Sequence, residues 1–237
     1  MCPMPVLLTR PLTDATRLAE RLRAGGAERV EIAPLMRIVP LPVPDLPDGH
    51  GVLLTSGNAV AAFEAAGGSG GGRPAWVVGP RTAARARAAG FEVKGVAADA
   101  EALAAAVPQE APPLVHLRGA VTRGDLAGAV RVRGADVSSV TIYAQEAIPL
   151  TQAALDLVAA GPVLAPLYSP RTATLLMKAV PEECHRNLRP VCLSRAVAEA
   201  CLMPTLAVAA RPDGEAMIVA ILANLAPSPV EGGGSSV

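Results

Sequence analysis

Six short turns of the sequence combine hydroxyl, glycine or arginine residues directly after apolar runs with the pattern of β-strands. The turns are Thr9-Arg10, Thr55-Ser56, Gly79 to Thr82, Arg118-Gly119, Tyr168-Ser169 and Ser194-Arg195. Four of them open predicted helices, whose free backbone N–H groups bind anions such as carboxylates. Any single serine or threonine there is more often an ordinary helix cap. The repeated pattern, with arginine beside several turns, predicts a ligand that carries several negative charges.

Tyr143 is one of two tyrosines in a chain with only five aromatic residues. It lies in the stretch 137–149, VSSVTIYAQEAIP, where polar and apolar residues alternate as in a strand with one buried face. A phenol ordinarily has a pKa near ~10, so it is protonated at neutral pH. The second tyrosine, Tyr168, follows a strand beside Ser169 and is expected to line the binding site.

The sequence lacks the common motifs of nucleotide and metal chemistry. No GxxxxGKS/T, GxGxxG or GxSxG motif is present, and there is no paired-carboxylate motif. The four cysteines form no CxxC pair, and His50, His116 and His185 are scattered along the chain. These features predict a protein that uses no metal and no nucleotide cofactor.

Composition limits the partners and the compartment. The 21 basic residues balance 21 acidic residues, which argues against a nucleic-acid partner held by phosphate contacts. No run reaches the ~18 apolar residues of a membrane span. The N-terminus lacks the basic start of a secretory signal. With thiols expected to stay reduced, the composition predicts a cytoplasmic protein.

Strand and helix patterns alternate along the chain and predict an α/β fold of parallel sheets flanked by helices. The pattern also occurs twice. Segments 6–11, 25–35, 53–63 and 76–86 resemble, in that order, 114–119, 133–143, 166–176 and 191–201. Four matches in the same order predict two similar halves. In sheets of this kind, ligands bind beyond the carboxyl ends of the strands, where the six turns lie.

Several short segments, spread in order over most of the chain, are characteristic of one enzyme family. They are LLTRP (7–11), LLTSGNAV (53–60), VVGPRTAARARAAGF (77–91), AEALAAAV (100–107), HLRG (116–119), RGDL (123–126), VTIYA (140–144), YSPRTA (168–173) and AVAARP (207–212). In these segments the sequence resembles the uroporphyrinogen-III synthase family, from about residue 6 to about residue 223. Each motif alone has low specificity, so the resemblance depends on the order of the motifs and on their coverage of the chain more than on any single motif.

The resemblance implies two lobes, each an open parallel β-sheet flanked by helices (flavodoxin-like), joined by a two-stranded linker. The implied parts are 1–34 with 148–237 as one lobe, 40–139 as the other, and 35–39 and 140–147 as the linker strands, which would pair as a short ladder. The tail 227–237 is expected to be disordered. Tyr143 would lie on a crossing strand, in the cleft between the lobes.

The resemblance also implies a reaction. The family closes linear hydroxymethylbilane, a polycarboxylate tetrapyrrole, to uroporphyrinogen III with inversion of the last ring and loss of water. Closure without inversion occurs unaided, so the enzyme must hold the conformation that leads through a spiro intermediate. This implies a cofactor-independent lyase of heme- or cobalamin-type tetrapyrrole biosynthesis. The chain is expected to be a monomer that receives its substrate by transient hand-over from the preceding pathway enzyme.

The resemblance assigns roles to particular side chains. Tyr143 matches the family's cleft tyrosine, either as the acid or as a positioning residue. The residues expected to bind the substrate are Arg10, Thr55, Ser56, Gly79, Thr82, Arg118, Gly119, Tyr168, Ser169 and Ser194. Where the family often has a Gly-Pro-Thr turn, residues 193–196 read LSRA, so the contacts at that turn are expected to differ.

Two other functions fit parts of the pattern. A non-catalytic two-lobed protein could bind an anionic small molecule, although such proteins are usually exported and no signal is visible. A flavodoxin-like regulatory or flavin domain would fit the sheet pattern, and a colourless purified protein would argue against flavin. Incubation with hydroxymethylbilane distinguishes the synthase from the binding protein.

Overall fold

A computed structural model describes residues 4–122 and 124–225, so the tail 227–237 lies outside the described residues. The strands are Val6–Leu8 (β1), Val30–Ile32 (β2), Met36–Pro40 (β3), Gly51–Leu54 (β4), Pro74–Val78 (β5), Glu92–Ala97 (β6), Leu114–Gly119 (β7), Val137–Ala147 (β8), Val163–Leu167 (β9), Leu188–Cys192 (β10) and Ala207–Val208 (β11). The helices are Leu12–Ala24 (α1), Gly57–Ala65 (α2), Pro80–Ala88 (α3), Ala100–Ala106 (α4), Leu126–Val132 (α5), Gln152–Ala160 (α6), Pro170–Ala179 (α7), Arg195–Ala200 (α8) and Gly214–Ala223 (α9). Strands and helices alternate, as the sequence predicts.

The chain divides into two compact units. Unit 1 comprises Met1–Arg37 and Ala147–Val237, and unit 2 comprises Ile38–Glu146. Unit 1 is therefore built from both ends of the chain, whereas unit 2 is continuous. The chain leaves unit 1 within β3 and returns to it at the end of β8.

Unit 1 contains a five-stranded sheet in the order β11-β10-β9-β1-β2, and its strand pairs are parallel. Counted within the unit, this is the 2-1-3-4-5 order of flavodoxin-like folds. Helices α1 and α9 cover one face of the sheet, and α6, α7 and α8 cover the other. Because both faces are covered, strands such as β1 and β9 are apolar throughout and fully buried.

Unit 2 contains a six-stranded sheet in the order β3-β8-β7-β4-β5-β6. Strands β4 to β8 pair in parallel, with α2 and α3 on one face and α4 and α5 on the other. At one edge β3 pairs with β8, where the Leu41 N–H donates to the Ile142 carbonyl at 2.9 Å. The two segments expected to form the linker thus continue the sheet of unit 2.

The sequence repeat corresponds to the topology of the two sheets. In the repeat, β1 is equivalent to β7, β2 to β8, β9 to β4 and β10 to β5. With these equivalences the two sheets have the same spatial order of strands, although the chain visits the strands in a different order. The predicted fold class, parallel sheets flanked by helices, is confirmed. None of the helices in the described ranges is long and apolar enough to span a membrane.

Candidate active site

The topology of unit 2 brings three of the predicted turns to one edge of its sheet. Strands β5, β4, β7 and β8 are neighbours in that order, and parallel strands end at the same edge. Thr55 and Ser56 follow β4, Gly79 follows β5, and Arg118 and Gly119 end β7. Tyr143 lies on β8 in register with Gly119, just after an irregularity in the β7–β8 pairing.

Gly119 makes room for the Tyr143 side chain. A Cβ atom at Gly119 would lie 2.6 Å from Tyr143 Cζ and 2.9 Å from its hydroxyl oxygen, so only glycine allows this approach. The phenol ring is 5% exposed and belongs to the apolar cluster that α2 and α3 complete. The position of Tyr143 is therefore fixed by packing rather than left to a mobile side chain.

The Ser56 side chain lies beside the Tyr143 hydroxyl. Burial raises the pKa of Tyr143, and the nearby Ser56 side chain offsets only part of this effect. Ser56 also caps α2, since its Oγ accepts from the Asn58 N–H at 3.1 Å. The phenol is thus held protonated at neutral pH, beside a helix N-terminus whose N–H groups favour anions.

The turn after β5 supplies a second helix N-terminus. Gly79 adopts φ 82°, which favours glycine, and Pro80 occupies the first position of α3. The Gly79 N–H is already taken, because it donates to the Ala97 carbonyl at 2.8 Å. An anion would therefore meet the N–H groups of Arg81 and Thr82. The Thr82 side chain is buried at 7% exposure in this first turn.

Arg118 and His116 project from the same face of β7. The Arg118 side chain forms no hydrogen bond or ion pair with any other described residue, so its guanidinium is available to an anion. The His116 side chain is buried, and its Nε2 has no hydrogen-bond partner in the described structure. Burial, followed by the charge of Arg118, lowers the pKa of His116 to about 4, against a smaller opposing effect of Asp125. The imidazole is therefore neutral.

In unit 1, Arg10 and Tyr168 occupy the carboxyl ends of the neighbouring strands β1 and β9. Arg10 Cζ lies 4.1 Å from the centre of the Tyr168 ring, a cation–π contact. Arg10 Nη2 also donates to Asp14 Oδ2 at 2.8 Å. Unlike Arg118, Arg10 is thus held in place by two partners, which orient its remaining N–H groups.

The turns that precede α7 and α8 differ in capping. Ser169 Oγ accepts from the Thr172 N–H at 3.1 Å and lies 2.8 Å from Thr172 Oγ1. Ser194 precedes α8 without a side-chain capping bond, so its hydroxyl does not serve the helix. This is the turn where the sequence departs from the family pattern.

The structure groups the predicted residues in two sets, one in each unit. Unit 2 holds Thr55, Ser56, Gly79, Thr82, Arg118, Gly119 and Tyr143. Unit 1 holds Arg10, Tyr168, Ser169 and Ser194. The sequence repeat relates Arg10 to Arg118, Ser169 to Ser56, and Ser194 to Gly79.

Sequence reasoning did not predict the burial of three polar side chains near these turns, those of Thr9, His116 and Thr172. The sequence does contain a signal for Thr172, because this residue stands three positions after Ser169, which caps the helix. Thr9 is fully buried and its Oγ1 has no partner among the described residues. For Thr9 and for the burial of His116 no local signal exists, since burial depends on distant parts of the chain. Across the described ranges, no group of residues is suited to hold a metal ion.

Comparison with known protein families gives a match over most of the sequence. Residues 16–219 match the family model described as Uroporphyrinogen-III synthase HemD. None of the curated proteins matches the chain. The family match covers most of the sequence and includes every residue of the candidate site except Arg10.

Two solved structures share the fold. The uroporphyrinogen-III synthetase of Helicobacter pylori has a TM-score of 0.65 and 16% identity, over 93% of this chain and 99% of that one. A mutant uroporphyrinogen III synthase of the extremely thermophilic bacterium Thermus thermophilus has a TM-score of 0.52 and 18% identity, over 93% of this chain and 96% of that one. At such low identity the similarity concerns the fold.

Proposed function

The chain belongs to the uroporphyrinogen-III synthase family, and on that premise we propose that it closes hydroxymethylbilane to uroporphyrinogen III, inverting the last ring and releasing water. The observation that carries this proposal is the family match over residues 16–219. The protein is thus an enzyme of tetrapyrrole synthesis. Neither the site geometry nor the comparisons favour the alternative of a non-catalytic binding protein.

Tyr143 is the proton donor in this proposal. The hydroxyl that leaves the terminal pyrrolic methylene needs a proton, while the pyrrole nitrogen supplies the electrons that expel it. A phenol whose pKa is raised by burial is protonated at working pH. The neighbouring Ser56 hydroxyl orients the phenol in this proposal. Gly119 supports this placement because it leaves the ring space to lie against β7.

The turns bind the substrate carboxylates in this proposal. In unit 2 the available groups are Arg118 and the N-termini of α2 and α3. In unit 1 they are Arg10 and the N-terminus of α7. Helix N-termini and arginine forks both prefer anions. Several fixed carboxylate contacts restrict the flexible tetrapyrrole to the conformation in which the substituted carbon of the last ring attacks, and this restriction selects inversion over simple closure.

The test is the isomer composition of the product. Purified protein is incubated with hydroxymethylbilane, the porphyrinogens are oxidised, and the type I and type III porphyrins are separated by chromatography. We expect type III to dominate, whereas a protein-free control gives type I. A product mixture identical to the protein-free control would contradict the proposal.

Further properties belong to the same proposal. We assign the enzyme to the hydro-lyases, because the net change is loss of water with ring closure. A cytoplasmic monomer without a cofactor is consistent with the proposed chemistry, which needs no redox step. The substrate cyclises spontaneously, so direct transfer from the preceding enzyme would protect it. Size-exclusion chromatography with light scattering tests the monomer.

A further inference from the structure

Two thiols lie side by side in the core of unit 1. Cys192 ends β10 and Cys201 directly follows α8. Their Sγ atoms are 3.8 Å apart, and both side chains are 0% exposed. Both residues are free cysteines and belong to the apolar cluster beneath α6, α7 and α8. A disulfide requires an S–S distance of about 2.0 Å, so the two sulfur atoms would have to approach each other by about 1.8 Å to form the bond.

We propose that Cys192 and Cys201 form a redox site, in which a peroxide oxidises the dithiol reversibly to an intramolecular disulfide. The disulfide would close a loop that contains the Ser194 turn and the whole of α8, and would tether this helix to β10. The inference rests on the two thiols alone and is independent of the proposed synthase activity.

The environment distinguishes the roles of the two sulfur atoms. The hydrogen bond from Cys192 lowers the pKa of Cys201, while the same hydrogen bond, followed by burial, raises the pKa of Cys192. Cys201 is the thiol that ionises more readily, so we assign it the attack, because the thiolate is the nucleophilic form. Cys192 remains a thiol and keeps its proton until the second step.

The chemistry balances in two steps. The Cys201 thiolate attacks one oxygen of hydrogen peroxide, the O–O bond breaks, and the second oxygen leaves as hydroxide, giving a sulfenic acid on Cys201. The Cys192 sulfur then attacks Cys201 Sγ, the S–O bond breaks, and the departing hydroxide takes the Cys192 proton to form water. The hydroxide from the first step takes up the proton that Cys201 released on ionising. In total the two thiols lose two electrons and two protons, and the peroxide is reduced to two molecules of water.

The segment after α8 provides a route for the oxidant. Leu202 directly follows Cys201 with φ 54°, a conformation that is costly for a leucine, and its side chain is 90% exposed. Helix α8 has only six residues and lacks a side-chain capping bond. Short, poorly capped ends open more readily than the rest of a domain, so a small peroxide can reach sulfur atoms that are buried on average.

Peptide mapping tests the proposal on the wild-type chain. Arg195 lies between the two cysteines, so trypsin separates them unless a disulfide joins the fragments. Reduced protein is treated with hydrogen peroxide, denatured in the presence of an alkylating reagent and digested. We expect a linked pair of peptides about 2 Da lighter than the sum of its reduced parts, which dithiothreitol separates again. The linked protein should also melt at a higher temperature until it is reduced.

Two variants serve as controls. Cys184→Ser removes a partly buried thiol that packs against the same cluster, and should leave the cross-link unchanged. Cys201→Ser should abolish the cross-link. The proposal is overturned if peroxide leaves both cysteines free to be alkylated, if it converts them to sulfinic acids, or if it links them to other chains. The wild-type and Cys184→Ser results decide the question even if Cys201→Ser fails to fold.

Discussion

Tyr143 has a ring that is fixed in position and a hydroxyl that stays protonated, and both properties follow from its burial. Its ring is held by the apolar cluster and by the absence of a side chain at Gly119, while the polar Ser56 side chain lies beside its hydroxyl. Raising its pKa by burial weakens the phenol as an acid, but it guarantees the protonated form over the whole neutral range. No loss of kcat from this group is therefore expected below about pH 10.

Replacing Tyr143 by phenylalanine separates proton transfer from packing. Because the ring is retained and only the hydroxyl is lost, Tyr143→Phe should fold normally and lower kcat by roughly 10²-fold or more. Initial rates of type III formation and a thermal melt measure the two effects. Tyr168→Phe is the comparison variant: it keeps the ring beside Arg10 but removes a phenol expected to line the binding site, so it should raise KM and change kcat only slightly. Wild-type kcat in Tyr143→Phe would reduce Tyr143 to a packing residue.

The buried imidazole of His116 should lower the free energy of unfolding in acid. Its pKa is about 4 in the folded protein, whereas an unfolded histidine titrates near ~6.5. As the pH falls below ~6.5, the unfolded chain binds a proton that the folded protein does not accept. Stability present at pH 7 is therefore lost as the pH drops, by about 2 kcal/mol at pH 5. Arg118 and Asp125 act on this group in opposite directions.

Urea unfolding of wild type and His116→Leu at pH 7 and pH 5 checks this expectation. Leucine keeps an apolar side chain in the buried site without a titrating group. The variant should therefore lose less free energy of unfolding between the two pH values than wild type. An equal loss in both proteins would show that other groups set the acid sensitivity.

At the scale of the elements, helix N-termini serve both stability and the proposed binding. Ser169 Oγ caps α7 through the Thr172 N–H, and Thr151 Oγ1 caps α6 through the Ala154 N–H at 3.3 Å. Both helices cover the same face of the unit 1 sheet. Of these two helices, only α7 begins at a proposed substrate-binding turn, the one that follows the carboxyl end of β9.

A pair of cap variants can therefore distinguish stability from binding. Ser169→Ala and Thr151→Ala should each lower the free energy of unfolding by about 1 kcal/mol, because each removes one side-chain cap. Only Ser169→Ala should raise the KM for hydroxymethylbilane several-fold. Denaturant unfolding and initial-rate kinetics give the two quantities. Equal KM values in both variants would remove Ser169 from the substrate site.

At the scale of the whole molecule, each of the four apolar clusters draws its residues from a single unit. Unit 2 has a cluster on each face of its sheet and is formed by one continuous stretch of chain. Unit 1, by contrast, needs both ends of the chain to complete its sheet. The two units should therefore differ in their ability to fold alone.

A fragment of residues 38–146 should fold by itself. We expect cooperative urea unfolding, followed by circular dichroism, and a dispersed amide spectrum. Leu117→Ala in the fragment is the control, since removing this fully buried side chain should cost about 2–5 kcal/mol and abolish most of the cooperativity. A wild-type fragment without a cooperative transition would show that unit 2 depends on the remainder of the chain.

The sequence by itself determined the fold class, the strand-end turns and the family. These properties depend on neighbours within a few positions, such as the alternation before Tyr143 or the serine that precedes α7, and on the order of motifs along the chain. The internal repeat also indicated which strands of one sheet are equivalent to which strands of the other.

Only the tertiary structure decided which groups meet and which remain available. Ser56, Gly119 and Tyr143 are far apart in sequence, and the order of β4, β7 and β8 brings them together. Long-range contacts also occupy the Gly79 N–H and bury His116 and Thr9. Residue type and spacing cannot report such contacts, because strand order and burial are set by packing between distant segments of the chain.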